Sequence, residues 1–235
     1  MEEQFRRRRL PHFDKPGAIY FVTSCLEGSI PATGLKDIDD YRQILRKRIS
    51  TNHNDDANQS RTTEWKLLFA RSDQWLDRAV GVNHLANEQL AEVVENAILH
   101  FAGQRYSIWA WVVMSNHIHL VFEPCVDWVA SLGTSASQRT PRERIMHSVK
   151  RFSARKCNSI LGIGGKFWQE ESYDHCVTES DELQRIIEYV EMNPVRANWC
   201  QQSEMFRFSS AHYRAIHKLP PGSPLIGPTQ MSSFD

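Results

Sequence analysis

The stretch WAWVVMSNHIHLVFEP, Trp109 to Pro124, contains two apolar runs on either side of Met114-Ser115-Asn116. Both runs are rich in β-branched and aromatic residues, and their separation suits a hairpin, so they predict two adjacent antiparallel strands. The second run begins with His117 and His119. Side chains two residues apart on a strand project from the same face, so both imidazoles can reach one divalent ion. A chance pair of histidines would show the same spacing, and the motif alone leaves both interpretations open.

The elements around this hairpin follow from periodicity and from end signals. AIYFVTSCL, Ala18 to Leu26, predicts a strand, and residues 35–50 and 87–104 have helical spacing. A helix is predicted from Thr140, which with Pro141 and Glu143 gives a capping box, and Ile145, Val149, Phe152 and Ile160 are its predicted buried stripe. A strand over 173–177 and a helix from about Asp181 to Asn193-Pro194 follow. The polar stretch 51–65 predicts a loop or an insertion, and residues 66–82 are ambiguous.

The order strand, helix, strand, strand, helix, strand predicts the α+β class, with the βαββαβ order of a ferredoxin-like sandwich. Such a fold has one antiparallel sheet with helices on one face. The other face is left for a ligand or for the last predicted helix.

Composition excludes some classes of protein. Of the 235 residues 41% are hydrophobic, which is ordinary for a globular protein, and the five cysteines are scattered without a CxxC pair. This argues against a disulfide scaffold and a zinc ribbon. No apolar run approaches the roughly 18 residues that span a bilayer, and no apolar segment follows the basic N-terminus. We therefore expect a cytoplasmic protein with no membrane association.

Total charge does not favour nucleic-acid binding, because 28 Lys and Arg residues balance 28 Asp and Glu residues. The distribution is uneven, however. Four consecutive arginines occupy positions 6–9, and the predicted helix from Thr140 is rich in basic residues. Local patches of this kind can contact a DNA backbone, although a solvated helix face is an equal alternative.

The last predicted helix contains IIEYVEMNP. Tyr189 and Asn193 lie four residues apart and therefore share a helix face, beside apolar residues that can pack on the sheet. Polar side chains at such a position need partners. They could serve a functional site. Alternatively, Tyr189 is a core residue with its hydroxyl at the rim, and Asn193 ends the helix before Pro194.

WVVMSNHIHLVFEP, FWQEESYDH and IIEYVEMNPVRANW, in this order and followed by FRFSSAHYR, resemble the REP-associated tyrosine transposases of the single-tyrosine HUH superfamily. The resemblance covers about Tyr20 to Arg214. The family usually has Pro at the position of Ser115, a difference that we expect to affect the turn more than the histidines. The resemblance implies a transposase domain over residues 17–215 with an insertion at about 29–72. The arginine run predicts a basic arm over residues 1–16, and we expect a disordered tail over 216–235.

The resemblance also implies roles for single residues. His117 and His119 match the metal-binding histidines, Tyr189 matches the nucleophile, and Asn193 matches a third polar ligand, with helix capping as its alternative. His175 is expected to line the site or to contact DNA, and core packing is equally open to it. The DNA-contact candidates are Arg6, Arg7, Arg8, Arg9, Arg144, Lys150, Arg151 and Arg155.

The implied activity is metal-dependent cleavage and joining of single-stranded DNA beside hairpin-forming repeats, through a 5′-phosphotyrosine intermediate. The implied cofactor is Mg or Mn, the partner is single-stranded or hairpin DNA, and we expect a monomer at the nucleoid. Three alternatives stay open at this point. They are a non-catalytic regulator that binds DNA hairpins, a phosphoesterase whose HxH metal activates water, and a ferredoxin-like RNA-binding module.

Overall fold

The computed structural model describes residues 4–7, 11–14, 17–51, 57–133 and 139–227. The strands are β1 Gln4–Arg7, β2 Pro11–Asp14, β3 Ile19–Cys25, β4 Tyr106–Val113, β5 His117–Pro124 and β6 Tyr173–Val177. The helices are α1 Ala32–Thr51, α2 Ala57–Asp77, α3 Glu88–Leu99, α4 Val126–Ser131, α5 Pro141–Leu161, α6 Ser180–Glu191, α7 Asn193–Arg196 and α8 Ser210–His217.

Four strands form one antiparallel sheet in the order β4-β5-β3-β6. This is the order that the βαββαβ pattern requires, so the predicted α+β class and its antiparallel sheet are confirmed. The register places His117 opposite Cys25 and His119 opposite Thr23, in the interior of the sheet. The two histidines therefore lie on a central strand, where neighbouring strands hold the backbone.

Helices α3 and α5 cover one face of the sheet, against Val22, Ile118 and Leu120. The predicted capping box begins α5: the Thr140 hydroxyl accepts from the backbone N–H of Glu143, and the Glu143 carboxylate accepts from the backbone N–H of Thr140. Gly162 ends the helix with a φ of 66°.

One prediction about α5 is wrong. Phe152 was assigned to the buried stripe, but it is 49% exposed. The stripe continues at Ser153, four residues after Val149, and both are buried. The Ser153 hydroxyl donates to the Val149 carbonyl at 2.7 Å and accepts from the indole of Trp168 at 3.0 Å. A small hydroxyl residue thus occupies the close contact, and Phe152 is turned to solvent.

The opposite face of the sheet is covered by α6, whose Leu183, Ile187 and Val190 pack on Phe21 and Val121. The face that the predicted sandwich leaves open therefore carries α6, which is the last predicted helix. Since His117, His119 and Val121 alternate with residues of the α3–α5 face, both histidines point toward α6.

Helix α2 corrects a second prediction, because residues 57–65 are helical and not part of a loop. Residues 52–56 lie outside the described ranges. Helices α1 and α2 pack on each other through Ile38, Leu45, Leu68 and Leu76. The sequence of α2 begins with ANQSRTTE, a run of mostly polar residues, so its apolar period is weak.

The end of the chain corrects a third prediction. Helix α8 was not predicted, and it extends past residue 215. Beyond it, the backbone N–H of Leu225 donates to the Ile108 carbonyl at 2.7 Å, and the N–H of Ile108 donates to the Ile226 carbonyl at 3.0 Å. Leu225 is fully buried. The part of the predicted disordered tail that the structure describes is therefore packed against β4, while residues 228–235 lie outside it.

The predicted N-terminal arm contains a two-stranded antiparallel sheet of β1 and β2, in which Arg6 pairs with His12 and Arg7 with Pro11. Arg8 and Arg9 lie outside the described residues. None of the helices in the described ranges combines the length and apolar composition needed to cross a bilayer.

Candidate active site

The two histidines of β5 are fully buried, and their Nε2 atoms lie 3.1 Å apart. The ring of each is oriented through Nδ1. His117 Nδ1 lies 2.6 Å from the Asn116 side-chain oxygen, which can only accept, so this nitrogen carries the proton. His119 Nδ1 lies 2.7 Å from the Thr23 hydroxyl. The Nε2 lone pair of His117 is therefore available, and burial lowers the pKa of His117 to about 3, which keeps it in the neutral form that a metal binds.

Asn193 begins α7, one turn after Tyr189, and its side-chain nitrogen lies 3.1 Å from His119 Nε2. The Asn193 side-chain oxygen is buried and has no hydrogen-bond partner among the described residues. Rotation of the amide by half a turn would direct this oxygen, which is a hard ligand, toward the histidines.

Asp73 of α2 adds a carboxylate that sequence reasoning missed. It is 4% exposed, and its Oδ1 lies 3.6 Å from His119 Nε2 without a hydrogen bond from any described residue. One ligand atom from each of Asp73, His117 and His119 lies within 4.8 Å of the others. Two imidazole nitrogens and a carboxylate oxygen suit borderline divalent cations. This group could therefore bind a metal ion.

Tyr189 lies beside this group. Its hydroxyl donates to Asp73 Oδ2 at 2.5 Å, and its ring packs edge-on against Phe69 and Phe21, with centroids 5.8 and 5.9 Å away. Burial raises the pKa of Tyr189, and the charge of Asp73 raises it further. Burial alone would also raise the pKa of Asp73, but the neighbouring imidazoles and the Tyr189 hydrogen bond outweigh it and hold this pKa well below its usual range.

Arg196, at the end of α7, is a second residue that sequence reasoning missed. Its guanidinium donates to Asp73 Oδ2 at 3.0 Å and lies 4.4 Å from the centre of the Tyr189 ring. It is one of the influences that lower the pKa of Tyr189. Arg196 follows Tyr189 by seven residues, which is two helical turns, so both side chains lie on the same side. This spacing in the sequence could have indicated that Arg196 lies near Tyr189.

His175 lies on β6 opposite Phe21 and lines the same cavity as Tyr189. Its Nε2 is 3.0 Å from the Glu182 carboxylate. Burial lowers the pKa of His175, and Glu182 partly offsets this. His175 was expected to line the site, to contact DNA or to pack in the core. The structure places it in the wall of the cavity beside Tyr189, apart from the candidate metal ligands.

The predicted DNA contacts on α5 are not brought to the histidines, since α5 covers the opposite face of the sheet. Arg151 and Arg155 are exposed there. Lys150 corrects the prediction: its ammonium is directed inward and donates to the carbonyls of Gln169 at 2.6 Å and Glu170 at 3.2 Å. Lys150 anchors this loop and does not present its charge to an outside ligand.

Arg144 has different surroundings. It lines a separate cavity of about 360 Å³ with Arg105, Trp128, Leu132, Arg139 and His147. Burial and the neighbouring arginines lower the pKa of His147, so the three guanidinium groups supply the positive charge. No acidic residue lines this cavity within the described part of the chain. We call this group the α4–α5 basic cavity.

Ser115 lies in the turn between β4 and β5, which the N–H of Met114 closes by donating to the His117 carbonyl at 2.9 Å. Ser115 is buried, and its carbonyl accepts from Leu85 at 2.9 Å. The Asn116 side chain donates to the Leu76 carbonyl of α2 at 2.8 Å. The turn thus connects the histidine strand to the helix that carries Asp73.

The sheet face of the histidines offers little surface for an RNA-binding module. Phe21, its central aromatic residue, is 3% exposed and lies beneath α6 and the Phe69 side chain of α2. A reader of unpaired bases on an open sheet needs exposed aromatic side chains. The covered face therefore counts against this alternative.

Fold and site together define an α+β protein with a ferredoxin-like sheet and a buried His–His–Asp group that could hold a metal. No family model matches the sequence. The chain is 23% identical over 163 residues to a REP-associated tyrosine transposase of Escherichia coli (strain K12), an alignment that covers 68% of this chain and 88% of that protein. A solved structure of a REP-associated tyrosine transposase bound to a REP hairpin matches with a TM-score of 0.50 and 16% identity, over 98% of this chain and 96% of the other. The resemblance to the REP-associated tyrosine transposases is thereby confirmed.

Proposed function

We propose that this protein is a metal-dependent enzyme that cleaves and rejoins single-stranded DNA beside hairpin-forming repeats, with Tyr189 as its nucleophile. One observation carries the proposal. Asp73 accepts the Tyr189 hydroxyl on Oδ2 at 2.5 Å, while its Oδ1 lies 3.6 Å from His119 Nε2. A single carboxylate thus connects a candidate nucleophile to a candidate metal group. The hairpin-bound relative supports the choice of substrate.

The residues present fit a divalent cation such as Mg or Mn. His117, His119 and Asp73 would hold it, and the side-chain oxygen of Asn193, once the amide is rotated, would be a further ligand. When bound, the cation supplies positive charge that neutralises and orients the scissile phosphate. The buried, unpartnered oxygens of Asp73 and Asn193 support this assignment, because buried polar atoms are usually paired.

The reaction is a transesterification. The Tyr189 hydroxyl oxygen forms a bond to phosphorus and loses its proton to solvent, while the bond from phosphorus to O3′ breaks. The electron pair of that bond goes to O3′, which takes up a proton and becomes a free 3′-hydroxyl. The protein keeps a 5′-phosphotyrosine. Because the number of phosphoester bonds is unchanged, another 3′-hydroxyl can reverse the step and join new strands.

The neighbours of Tyr189 have separate tasks. The low pKa of Asp73 makes it a weak base, so its hydrogen bond orients the phenol. The Arg196 guanidinium, 4.4 Å from the ring centre, favours the phenolate that forms during attack. Tyr189 and the histidines meet within one chain, and the expected monomer stays a prediction. Location at the nucleoid stays a prediction.

The proposal is tested with a single-stranded hairpin oligonucleotide and Mn or Mg, by looking for a covalent protein–DNA band on a denaturing gel. Tyr189→Phe should abolish the band and leave binding nearly intact. Tyr173→Phe is the matched control, since Tyr173 lies in the same aromatic cluster, 6.1 Å from Phe69, with its hydroxyl on Ser72. His117→Ala and added chelator should each abolish cleavage.

The other outcomes identify the alternatives. A covalent band that survives in Tyr189→Phe would exclude this residue as the nucleophile. Cleavage that depends on metal but leaves no adduct would indicate the phosphoesterase. Hairpin binding by the unaltered protein without any cleavage would indicate a regulator.

A further inference from the structure

A cavity of about 420 Å³ lies between α2 and α6 and includes Tyr189 in its wall. We call it the α2–α6 cavity. Its size falls in the range of small-ligand sites, which is roughly 300–1,000 Å³. Any DNA phosphate placed for attack by Tyr189 carries a nucleotide on each side. The base or sugar of at least one of these two nucleotides then lies in or beside the α2–α6 cavity.

Part of the wall is aromatic and apolar. Phe69 is half-buried, Ile186 lies beside it on the wall, and the Phe69 ring meets Phe21 and Tyr189 edge-on, with centroids 5.4 and 5.8 Å away. These contacts fix the orientation of the Phe69 ring. A fixed aromatic ring in the wall of a cavity is a surface on which an unpaired base can stack.

The charges around the α2–α6 cavity balance. Lys66, Arg185 and Arg196 line it together with Asp73, Asp77 and Glu182. In contrast, the α4–α5 basic cavity is lined by three arginines. A phosphate would be attracted to the basic cavity, whereas the balanced one suits a neutral ring with polar edges.

Glu182 gives the cavity a chemical preference. Lys66 and His175 both contact the same carboxylate oxygen, Oε1, at 3.2 and 3.0 Å. The structure gives Oε2 no hydrogen-bond partner among the described residues. Burial raises the pKa of Glu182, but His175 and Lys66 outweigh it and hold the carboxyl ionised. An ionised acceptor selects a donor. Adenine, cytosine and guanine carry an exocyclic amino group, whereas thymine has none and offers only its ring N3–H.

We propose that the α2–α6 cavity holds one unpaired nucleobase that carries an exocyclic amino group, from a nucleotide flanking the phosphate that Tyr189 attacks. The base stacks on Phe69 and donates to Glu182 Oε2. This inference rests on the proposed function for the identity of the ligand. It adds a sequence preference that is read by the protein at the cleavage point, apart from the hairpin.

The test is a series of hairpin oligonucleotides in which each unpaired nucleotide near the cleavage point is made abasic in turn. Affinity is measured in chelator, where no cleavage occurs. One position should lose roughly tenfold or more in affinity, the usual effect of a lost base–aromatic stack. Thymine at that position should also weaken binding, while adenine or cytosine should retain it.

Two variants place this position in the cavity. Phe69→Leu keeps an apolar side chain but removes the stacking surface, and it should abolish the penalty of the abasic site. Glu182→Gln adds a donor and should reduce the discrimination against thymine. Phe152→Ala is the control, because it removes a 49% exposed phenylalanine from α5 on the other face of the sheet. It should leave both effects unchanged.

The outcomes separate the two proposals. Equal affinity for every abasic substrate, together with a normal Tyr189 adduct, would overturn the cavity inference and leave the proposed function standing. A base preference that persists unchanged in both Phe69→Leu and Glu182→Gln would also overturn it. A preference that both variants alter, with no adduct on any substrate, would support the cavity and contradict the proposed chemistry.

Discussion

At the scale of single residues, Asp73 has the most unusual surroundings. A buried carboxylate is costly unless it is paired and hydrogen-bonded. Its Oδ2 receives bonds from Tyr189 and Arg196, whereas Oδ1 receives none from the described residues and faces His119. The side chain is thus satisfied on the side of the nucleophile and unsatisfied on the side of the imidazoles. A cation between Oδ1 and the two Nε2 atoms would remove this imbalance.

Asp73→Asn should therefore weaken binding of Mn by tenfold or more, because a neutral amide oxygen is a poorer ligand for a divalent cation than a carboxylate. The measurement is the rise in melting temperature of each protein on addition of Mn, compared with its own metal-free form. Asp77→Asn is the control, since Asp77 lies one turn further along α2 and contacts Arg196 at 3.8 Å instead of the histidines. An unchanged metal response in Asp73→Asn would exclude Asp73 as a ligand.

Asp77 itself leads to a pH prediction. Burial and the charge of Asp73 raise the pKa of Asp77 to about 6, above its unfolded value near 3.8. Between these values the folded protein binds the proton that the unfolded chain has lost, so stability from this group falls as the pH rises from about 4 to 6. Asp77→Asn should therefore increase the free energy of unfolding at pH 7.5, by on the order of 1–3 kcal/mol. Near pH 4 it should have little effect.

Denaturant titrations of the two proteins at pH 4, 5, 6 and 7.5 measure this difference. Other carboxyl groups titrate in both proteins alike and cancel in the comparison. A difference that stays constant across the range would show that Asp77 does not titrate near 6.

The site residues that could be predicted from the sequence lie on strands and helices with a clear hydrophobic pattern. His117 and His119 share a strand face, and Tyr189 and Asn193 share a helical face, so their approach follows from a sheet covered by a helix. Asp73 lay in the stretch without a predicted element. Had α2 been recognised, the spacing of Phe69, Asp73 and Leu76 would have placed a carboxylate on its buried face.

At the scale of elements, α5 and α2 show why some helices can be predicted and others cannot. Helix α5 has a capping box, a proline in its first turn and a glycine after its end, and each of these local signals is present in the structure. Helix α2 begins with the polar run ANQSRTTE, so its apolar spacing is weak over its first two turns. Its position depends on packing against α1 and the sheet, which single-sequence periodicity does not encode.

Helix α5 also gives a prediction about DNA backbone contacts, because its basic residues have different surroundings. Arg144 lines the α4–α5 basic cavity, whereas Arg155 is exposed three turns further along. Arg144→Gln should weaken binding of hairpin DNA and reduce the slope of log affinity against log salt by about 1, as expected for one lost phosphate contact. Arg155→Gln removes the same charge and should change the slope much less.

The salt series should be run in chelator with the same hairpin for both variants. A larger effect of Arg155→Gln would show that the open face of α5, and not the basic cavity, meets the backbone.

At the scale of the whole molecule, the C-terminal segment protects the sheet. Strand β4 is an edge strand, and its Ile108 forms two backbone hydrogen bonds with Leu225 and Ile226. An unpaired edge is a template for association with another chain. A segment with a composition typical of disorder thus covers the edge, because one buried leucine and the backbone bonds hold it in place.

A chain that ends after Pro220 should therefore lose about 2 kcal/mol or more of unfolding free energy, from the buried Leu225 side chain and the lost bonds. It should also associate at high concentration through the part of the β4 edge that is uncovered at Ile108. Denaturant titration and sedimentation measure the two effects. A chain that ends after Gly227 keeps the pairing and is the control, and equal behaviour of the two chains would contradict the role of this segment.

The candidate metal group has one more consequence at this scale. Its ligands come from α2, β5 and α7, so a bound ion would tie the α1–α2 pair to the sheet. Local opening of α2 would then require release of the ion, and its free energy would rise with metal concentration. Amide hydrogen exchange in the second half of α2 should slow on addition of Mn, while exchange in α3, on the far face, should not. The ion would then hold the α1–α2 pair against the sheet. Substrate access to Tyr189 would depend on how often this pair opens locally, and therefore on the occupancy of the metal site.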